Sequence, residues 1–344
     1  MIFIDACFRK QTPYTPIWMM RQAGRYLDEY KATRKQAKNF LDLCQRVDLA
    51  TEITLQPIDI LDVDAAILFS DILVIPYEMG LPLEFKEGFG PKFLQTISDT
   101  KNLRTLKKDA HKRLNYVYEC VDSVRQKLPK DKALIGFSGA PWTLATYMIE
   151  GHGSKSYEVS KKMLYQNPKL LHELLQMLTS EIKQYLSMQI KAGANSVMLF
   201  DSWANALEKT KYLEFGWFYN QDIASYLKKT FPHIPIIVFP RGVGAFLESL
   251  YGDFDVLGVD WQVDMSIAKE KVGNRFVLQG NLEPARLYDY CAMKEGVIDI
   301  LEVMRNSGHI FNLGHGMIKD LPRENAIALV KLVRELSSKY AANN

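Results

Sequence analysis

Two arginines four residues apart, Arg21 and Arg25, end the segment Pro16-Ile-Trp-Met-Met-Arg-Gln-Ala-Gly-Arg25. An apolar run stops there in two permanent cations, with Gln22, Ala23 and Gly24 between them. A guanidinium is a planar fork that donates two parallel hydrogen bonds to a carboxylate and stays charged at any relevant pH. The pair therefore suits a polyanion, although a surface pair bridged to Asp28 or Glu29 would read the same way in isolation. Asp71, after Phe69-Ser70, offers a carboxylate to a developing cation or to substrate N–H groups; its everyday use would be to cap a helix. Tyr147 falls about one turn into a helix that begins near Pro141 and Trp142, where its hydroxyl can sit at a pocket rim. Ser202 follows Phe200-Asp201 as a ligand contact or a helix cap. His315 stands between Gly314 and Gly316, an unusual setting for a core histidine, and could give a hydrogen bond or a proton. Glycines after a late barrel strand also bind phosphate, which is a competing use of that segment.

Sharper motifs are missing. Gly151-His-Gly-Ser-Lys-Ser156 lacks the core and spacing of a phosphate-binding loop, and neither His-Glu-x-x-His nor Gly-x-Ser-x-Gly occurs. Cys7, Cys44, Cys120 and Cys291 form no C-x-x-C pair and adjoin no histidine, so no metal cluster is expected and a reducing compartment fits.

The elements that would hold these residues are short, β-branched apolar runs: Pro16–Met20, Ala65–Phe69, Ala133–Phe137, Ser196–Phe200, Pro235–Phe239, Val256–Val259, Phe276–Gln279 and Ile310–Asn312. They lack clean alternation, which suits strands buried on both faces of a parallel sheet. Amphipathic spacers at Leu103–Leu128, Glu181–Ala192, Tyr212–Phe231, Leu287–Met304 and Pro322–Tyr340 read as helices. Strands alternating with helices predict an α/β protein, a single (β/α)8 TIM-type barrel over residues 1–344. An open doubly wound sheet is disfavoured because no Gly-x-Gly-x-x-Gly follows a first strand. Each run ends in polar, glycine-rich or aromatic residues, among them Ser138-Gly-Ala-Pro-Trp142, Pro240-Arg241-Gly242 and Asp260-Trp261. A barrel gathers such strand C-termini on one face, where its active site lies. The stretch Lys86–Lys92 reads as a surface loop.

Of 344 residues, 47% are hydrophobic, enough for a large core, and 43 basic residues nearly balance 40 acidic ones, leaving no polycationic footprint for nucleic acid. No run approaches the length needed to span a bilayer, and Asp5 interrupts any signal-like start. A soluble cytoplasmic protein is expected.

Four ordered motifs carry a resemblance. The Pro16–Arg25 segment, Phe69-Ser-Asp-Ile-Leu73, Ile135-Gly-Phe-Ser-Gly-Ala-Pro-Trp-Thr-Leu144 and Phe311-Asn-Leu-Gly-His-Gly316, with Gln279-Gly-Asn-Leu-Glu-Pro284 in support, are similar to those of the uroporphyrinogen decarboxylases. The likeness runs from about residue 5 to the C-terminal helix; His152 departs from the glycine frequent at that place. It implies a cofactor-free (β/α)8 carboxy-lyase of haem and tetrapyrrole biosynthesis, paired as a homodimer. Such an enzyme converts the acetate side chains of uroporphyrinogen III to methyl groups, giving coproporphyrinogen III. Catalytic roles fall on Asp71, Arg21 and Arg25. Substrate binding falls on Arg21, Gln22, Ala23, Gly24, Arg25, Asp71, Tyr147, Ser202 and His315. Two rival readings are a zinc-dependent corrinoid:thiol methyltransferase of related fold and a non-catalytic tetrapyrrole carrier. The first needs His and Cys ligands at late strand ends, and none of the four cysteines lies at one.

Overall fold

The computed structural model describes residues 1–86 and 90–341. Among these described residues nine strands form two sheets. They are β1 (Ala65–Ile67), β2 (Leu83–Lys86), β3 (Gly90–Phe93), β4 (Ala133–Gly139), β5 (Ser196–Asp201), β6 (Ile236–Pro240), β7 (Val256–Gly258), β8 (Val277–Leu282) and β9 (His309–Leu313). Seven of them pair in parallel in the order β1-β4-β5-β6-β7-β8-β9. Strands β4 to β9 are buried except for the half-buried Phe200 of β5, as expected for a sheet covered by helices on its outside and filled with side chains within.

The segment Pro16–Met20 closes the ring. Ile17 bridges Phe311 of β9 in parallel, with Phe311 N–H donating to Pro16 O (2.9 Å) and Trp18 N–H to Phe311 O (3.3 Å). On its other side Asp64 N–H donates to Ile17 O (2.8 Å), just before β1. The expected first strand is thus reduced to one bridge, because side chains do much of the pairing. Ile17 N–H donates to Asp64 Oδ2 (2.8 Å), Met19 N–H to Gln22 Oε1 (3.1 Å) and Met20 N–H to Asn312 Oδ1 (3.0 Å). Inside the barrel Trp18 Nε1–H donates to Gln279 Oε1 (2.9 Å). Buried backbone donors must find partners, and here sequence-distant polar side chains supply them.

Other elements also differ from the sequence reading, among them Leu287–Met304, where a 3-10 turn ends at Tyr288 and the helix runs Tyr290–Met304. Leu103–Leu128 is not one helix. It divides into Thr100–Arg104, a 3-10 turn Ala110–Arg113 and the helix Asn115–Lys127. The break is held by the buried Glu181 carboxylate, which accepts from Asp109 N–H (2.7 Å) and His111 N–H (3.3 Å). The Lys86–Lys92 stretch, expected to be a surface loop, belongs to an antiparallel hairpin: Lys86 ends β2 and Gly90–Lys92 lie in β3, while residues 87–89 lie outside the described residues.

Asp64 is 1% exposed and serves three partners at once: Ile17 N–H, the Tyr14 hydroxyl (3.0 Å) and Arg334 Nη2 (2.7 Å). Asp64→Ala should destabilise the protein by about 3–5 kcal/mol, the range for removing one partner of a buried charge pair. Equilibrium urea unfolding measures this, and a loss below about 1 kcal/mol would show that the closure does not lean on Asp64.

Candidate active site

The candidate residues lie on the turns and helices that follow the C-terminal ends of the barrel strands. Arg21 follows Met20 in a left-handed backbone conformation (φ 59°), which turns the chain sharply off the closing segment. Its side chain lies across the backbone of Gly316. A Cβ there would fall 2.4 Å from Arg21 Cδ, so the glycine makes room for the arginine stem. Gly314 is required more strictly, because a Cβ would fall within 2.7 Å of the Trp261 backbone.

Asp71 sits just past β1. Its Oδ1 accepts from Leu73 N–H (2.7 Å), a local turn that precedes the helix Val74–Glu78 rather than a cap on it. It forms no ion pair among the described residues. Burial raises its pKa to about 6, against the pull of the Leu73 N–H and the Arg21 charge.

Tyr147 stands nearly two turns into the helix Pro141–Glu150, deeper than expected. Thr143, one turn earlier, donates its hydroxyl to Asp201 Oδ1 (2.7 Å) and accepts from Trp203 N–H (3.3 Å), so this face of the helix is fastened to the turn after β5. Tyr147 packs against Trp203 (5.9 Å between rings), and Tyr157 packs against the same indole (5.6 Å). Burial, reinforced by the negative charge of Asp71, pushes the Tyr147 phenol up to about 12, with Arg21 opposing. It is therefore a neutral hydrogen-bonding group at physiological pH.

Ser202 is half-buried on that same turn. The 3-10 turn Ala204–Ala206 has no side-chain cap bond, which leaves the Ser202 hydroxyl uncommitted to it. What fixes the turn is Asp201, fully buried and accepting from Thr143, the Tyr212 hydroxyl (2.8 Å) and Asn220 Nδ2 (2.9 Å). A π-helical turn at Leu213–Trp217 separates Tyr212 from Asn220. Gly216 leaves the Tyr212 ring its space, since a Cβ would approach that ring to 2.5 Å.

His315 stacks nearly parallel to Trp261 (5.9 Å, 18°) and Phe239 (6.3 Å, 21°). Burial, then the charges of Arg21 and Arg241, lower its pKa to about 4. The imidazole is neutral at pH 7, so it enters the site as a hydrogen-bonding group rather than as a charged acid. Its Nδ1 is buried without a partner.

The field of Arg21 reaches Asp71, Tyr147 and His315, which places these four residues in one electrostatic neighbourhood. Arg25 takes a different position. It is exposed and lines an open groove of about 550 Å³ with Asp28, Lys31, Ala32, Arg34 and Lys35, where its charge bears on Tyr30. Gln22 is 1% exposed and its amide is occupied, accepting from Met19 N–H and donating to Ala65 O (3.1 Å). Ala23 and Gly24 are half-buried on the turn between the arginines. Arg241 and Trp261 lie beside His315, and the sequence marks them only by their places, directly after β6 and three residues past β7. Among the described residues no group of three His, Cys, Asp or Glu side chains could hold a metal ion, and no helix is long and apolar enough to cross a membrane. Three cysteines are buried and Cys291 is exposed on the outer helix Tyr290–Met304.

The chain and its fold have relatives among known proteins. A solved structure described as a methyltransferase from Methanosarcina mazei superposes with a TM-score of 0.81 at 18% identity, covering 97% of each chain, a likeness of fold alone. Uroporphyrinogen decarboxylase of Helicobacter pylori (strain G27) is 65% identical over 333 residues, 97% of this chain and 98% of that one. The enzyme of the same name from Helicobacter hepaticus is 63% identical over 340 residues, covering 98% of this chain and all of that one. The family model described as uroporphyrinogen decarboxylase (URO-D) matches residues 2–336. A match that takes in the closing segment, every barrel strand and every residue of the mouth makes this chain a member of the uroporphyrinogen decarboxylase family.

Proposed function

We propose that this protein removes carbon dioxide from the acetate side chains of uroporphyrinogen III, leaving methyl groups and yielding coproporphyrinogen III. The reading rests on one observation: an ion-pair-free Asp71 carboxylate and the Arg21 guanidinium share a mouth with neutral Tyr147 and His315. That set is suited to a ligand which is cationic at its centre during reaction and anionic at its rim.

A pyrrole acetate cannot release carbon dioxide directly, because the electron pair left behind has no place to go. Protonation of the alpha ring carbon next to the one that bears the acetate makes an iminium cation conjugated to the acetate-bearing carbon. The bond from the methylene to the carboxylate then breaks, its electron pair moves into the ring, and carbon dioxide departs. The methylene carbon takes up a proton and the ring carbon gives one back, so each acetate consumes one proton overall. The substrate supplies its own electron sink, the task a cofactor such as pyridoxal phosphate performs elsewhere. Asp71 stabilises the ring cation as it forms, through charge and through the pyrrole N–H groups. Arg21 grips a carboxylate of the substrate. Tyr147, Ser202 and His315 orient the macrocycle through neutral hydrogen bonds. Arg25, on the exposed side of the same turn, meets carboxylates that reach beyond the mouth. A homodimer of single-domain barrels in the cytoplasm completes the proposal.

The direct test is anaerobic incubation with reduced uroporphyrinogen III followed by product separation. Stepwise loss of carboxyl groups is expected, whereas binding without conversion would favour a carrier. Asp71→Asn keeps the shape and removes the charge. It should slow turnover by about 10²–10³, or roughly 3–4 kcal/mol of transition-state stabilisation. Near-normal turnover would remove Asp71 from the mechanism.

The pH dependence follows from the same carboxylate. Its pKa is raised to about 6, and the charged form is the one needed. The kcat/KM of the wild-type protein should therefore fall as pH drops through about 6, with a limb that Asp71→Asn abolishes. Arg21→Ala should weaken kcat/KM by roughly 10- to 100-fold through KM, the equivalent of one charge-assisted contact. Steady-state kinetics with KM unchanged would place Arg21 outside the binding set.

A further inference from the structure

We propose that Arg241 is a second carboxylate-gripping residue of the mouth, facing Arg21 across the barrel and holding a different carboxylate of the same polyacid. The inference rests on the decarboxylase reading and adds a specificity-determining residue to it.

Topology places the two cations. Around the ring the order is Pro16–Met20, β1, β4, β5, β6, β7, β8, β9, so the closing segment and β6 lie diametrically opposite each other. Arg21 leaves the end of the first and Arg241 the end of the second. Both bear on His315, Arg241 through the Trp261 ring that stacks on the imidazole and Arg21 from across Gly316. The charge of Arg241 also reaches Tyr157, which borders the Trp203 wall beside Tyr147.

Arg241 is held in place yet chemically unspent. Its N–H donates to Asp201 O (3.2 Å), and the following Gly242 N–H donates to Asp260 Oδ2 (2.7 Å). Gly242 has φ 75°, and a Cβ on it would strike Asn205 at 2.6 Å. The guanidinium lies 5.4 Å from the centre of the Trp261 ring, and its Nε is buried with no acceptor. No carboxylate pairs with it among the described residues.

Structural arginines in this chain look different. Arg125 donates to the carbonyls of Lys132, Leu128 and Pro129 and to Asn195 Oδ1. Arg275 donates to the carbonyls of Glu248, Leu250 and Lys271. Arg334 also has a buried Nε without an acceptor, but its guanidinium is ion-paired to Asp62 and Asp64, whereas Arg241 has no such carboxylate among the described residues. A half-buried guanidinium on a rigid turn with an unanswered N–H is prepared for an acceptor that arrives with the ligand. A tetrapyrrole with carboxylates around its rim supplies acceptors on opposite sides of the cavity, which a small monoacid does not.

The test compares wild type with Arg241→Ala, Arg241→Gln and Arg241→Lys in the full chain. The readouts are steady-state kinetics on uroporphyrinogen III and equilibrium binding of coproporphyrinogen III, each across a range of salt concentrations. The neutral variants should raise KM and weaken product binding by about 10- to 100-fold, with a far smaller change in kcat. The lysine variant should recover part of the loss, and the salt dependence of kcat/KM should flatten in the neutral variants. Unchanged KM and unchanged binding in Arg241→Gln would overturn the proposal while leaving the decarboxylase reading intact. A kcat loss that lysine does not relieve, together with a lowered melting temperature, would also overturn it, because it marks a purely structural role. If the wild type binds but does not convert uroporphyrinogen III, the decarboxylase reading fails, and the binding comparison still decides whether Arg241 grips a carboxylate.

Discussion

The closure of the barrel between β9 and β1 is the constraint on which the rest depends. A parallel ring of strands has to meet its own beginning, and here the beginning is a segment with a single bridge. The side chains of Asp64, Gln22 and Asn312 supply the bonds that a longer ladder would have made. That choice has a functional side. A segment pinned by side chains can end abruptly, and it does so at Arg21, whose left-handed backbone lifts the chain off the barrel and throws the guanidinium over Gly316. The same ten residues thus complete the fold and deliver the principal cation of the mouth, so damage to the closure would be felt in ligand binding as well as in stability.

The mouth itself is electrostatically unfinished. Asp71 is a carboxylate raised to about 6 by burial, and Arg21 and Arg241 have no carboxylate partners among the described residues. For an acid whose folded pKa lies above its unfolded value, stability is fullest below the unfolded value near 4 and is lost as pH rises through about 6. At neutral pH the ionised Asp71 therefore weighs against the fold, by an amount on the order of 2–3 kcal/mol. A protein selected only for stability would pair these groups with one another or neutralise them. Keeping them apart, on separate strand ends held by neutral hydrogen bonds, preserves a field that a substrate can complete.

The sequence reveals the strand ends far better than it reveals what each side chain does there. The apolar runs and their polar termini locate the barrel because burial on both faces writes itself into consecutive residues. Asp71 and His315 are recognisable for a related reason: a carboxylate after a buried strand and an imidazole between glycines are unusual locally. Long-range bonds leave no such trace. Nothing near residue 109 announces that Glu181 will break the helical pattern, and nothing around Gln22 shows that its amide is consumed by Met19 and Ala65. Arg25 and Arg241 make the same point from opposite directions. The spacing of Arg21 and Arg25 suggests a matched pair, yet Arg25 opens onto the groove beside the helix Asp28–Arg34. Arg241 has no arginine neighbour in sequence, and only the ring order of the strands sets it opposite Arg21. A cation becomes informative when its partners are known to be missing, and that is a property of the folded chain.

A nearly neutral protein can hold a polyanion for the same reason. The net charge of +3 is small, and a ligand would respond instead to the local field of the few charged groups gathered at the mouth. Under the proposed reading, each acetate lost removes one negative charge from the ligand while the guanidinium groups stay fixed. Coulombic attraction between the mouth and the macrocycle therefore weakens with every turn of the chemistry. The substrate is held most firmly when it has most to lose, and the fully decarboxylated product is the species the site binds least. Under that reading, product release follows from one fixed charge pattern.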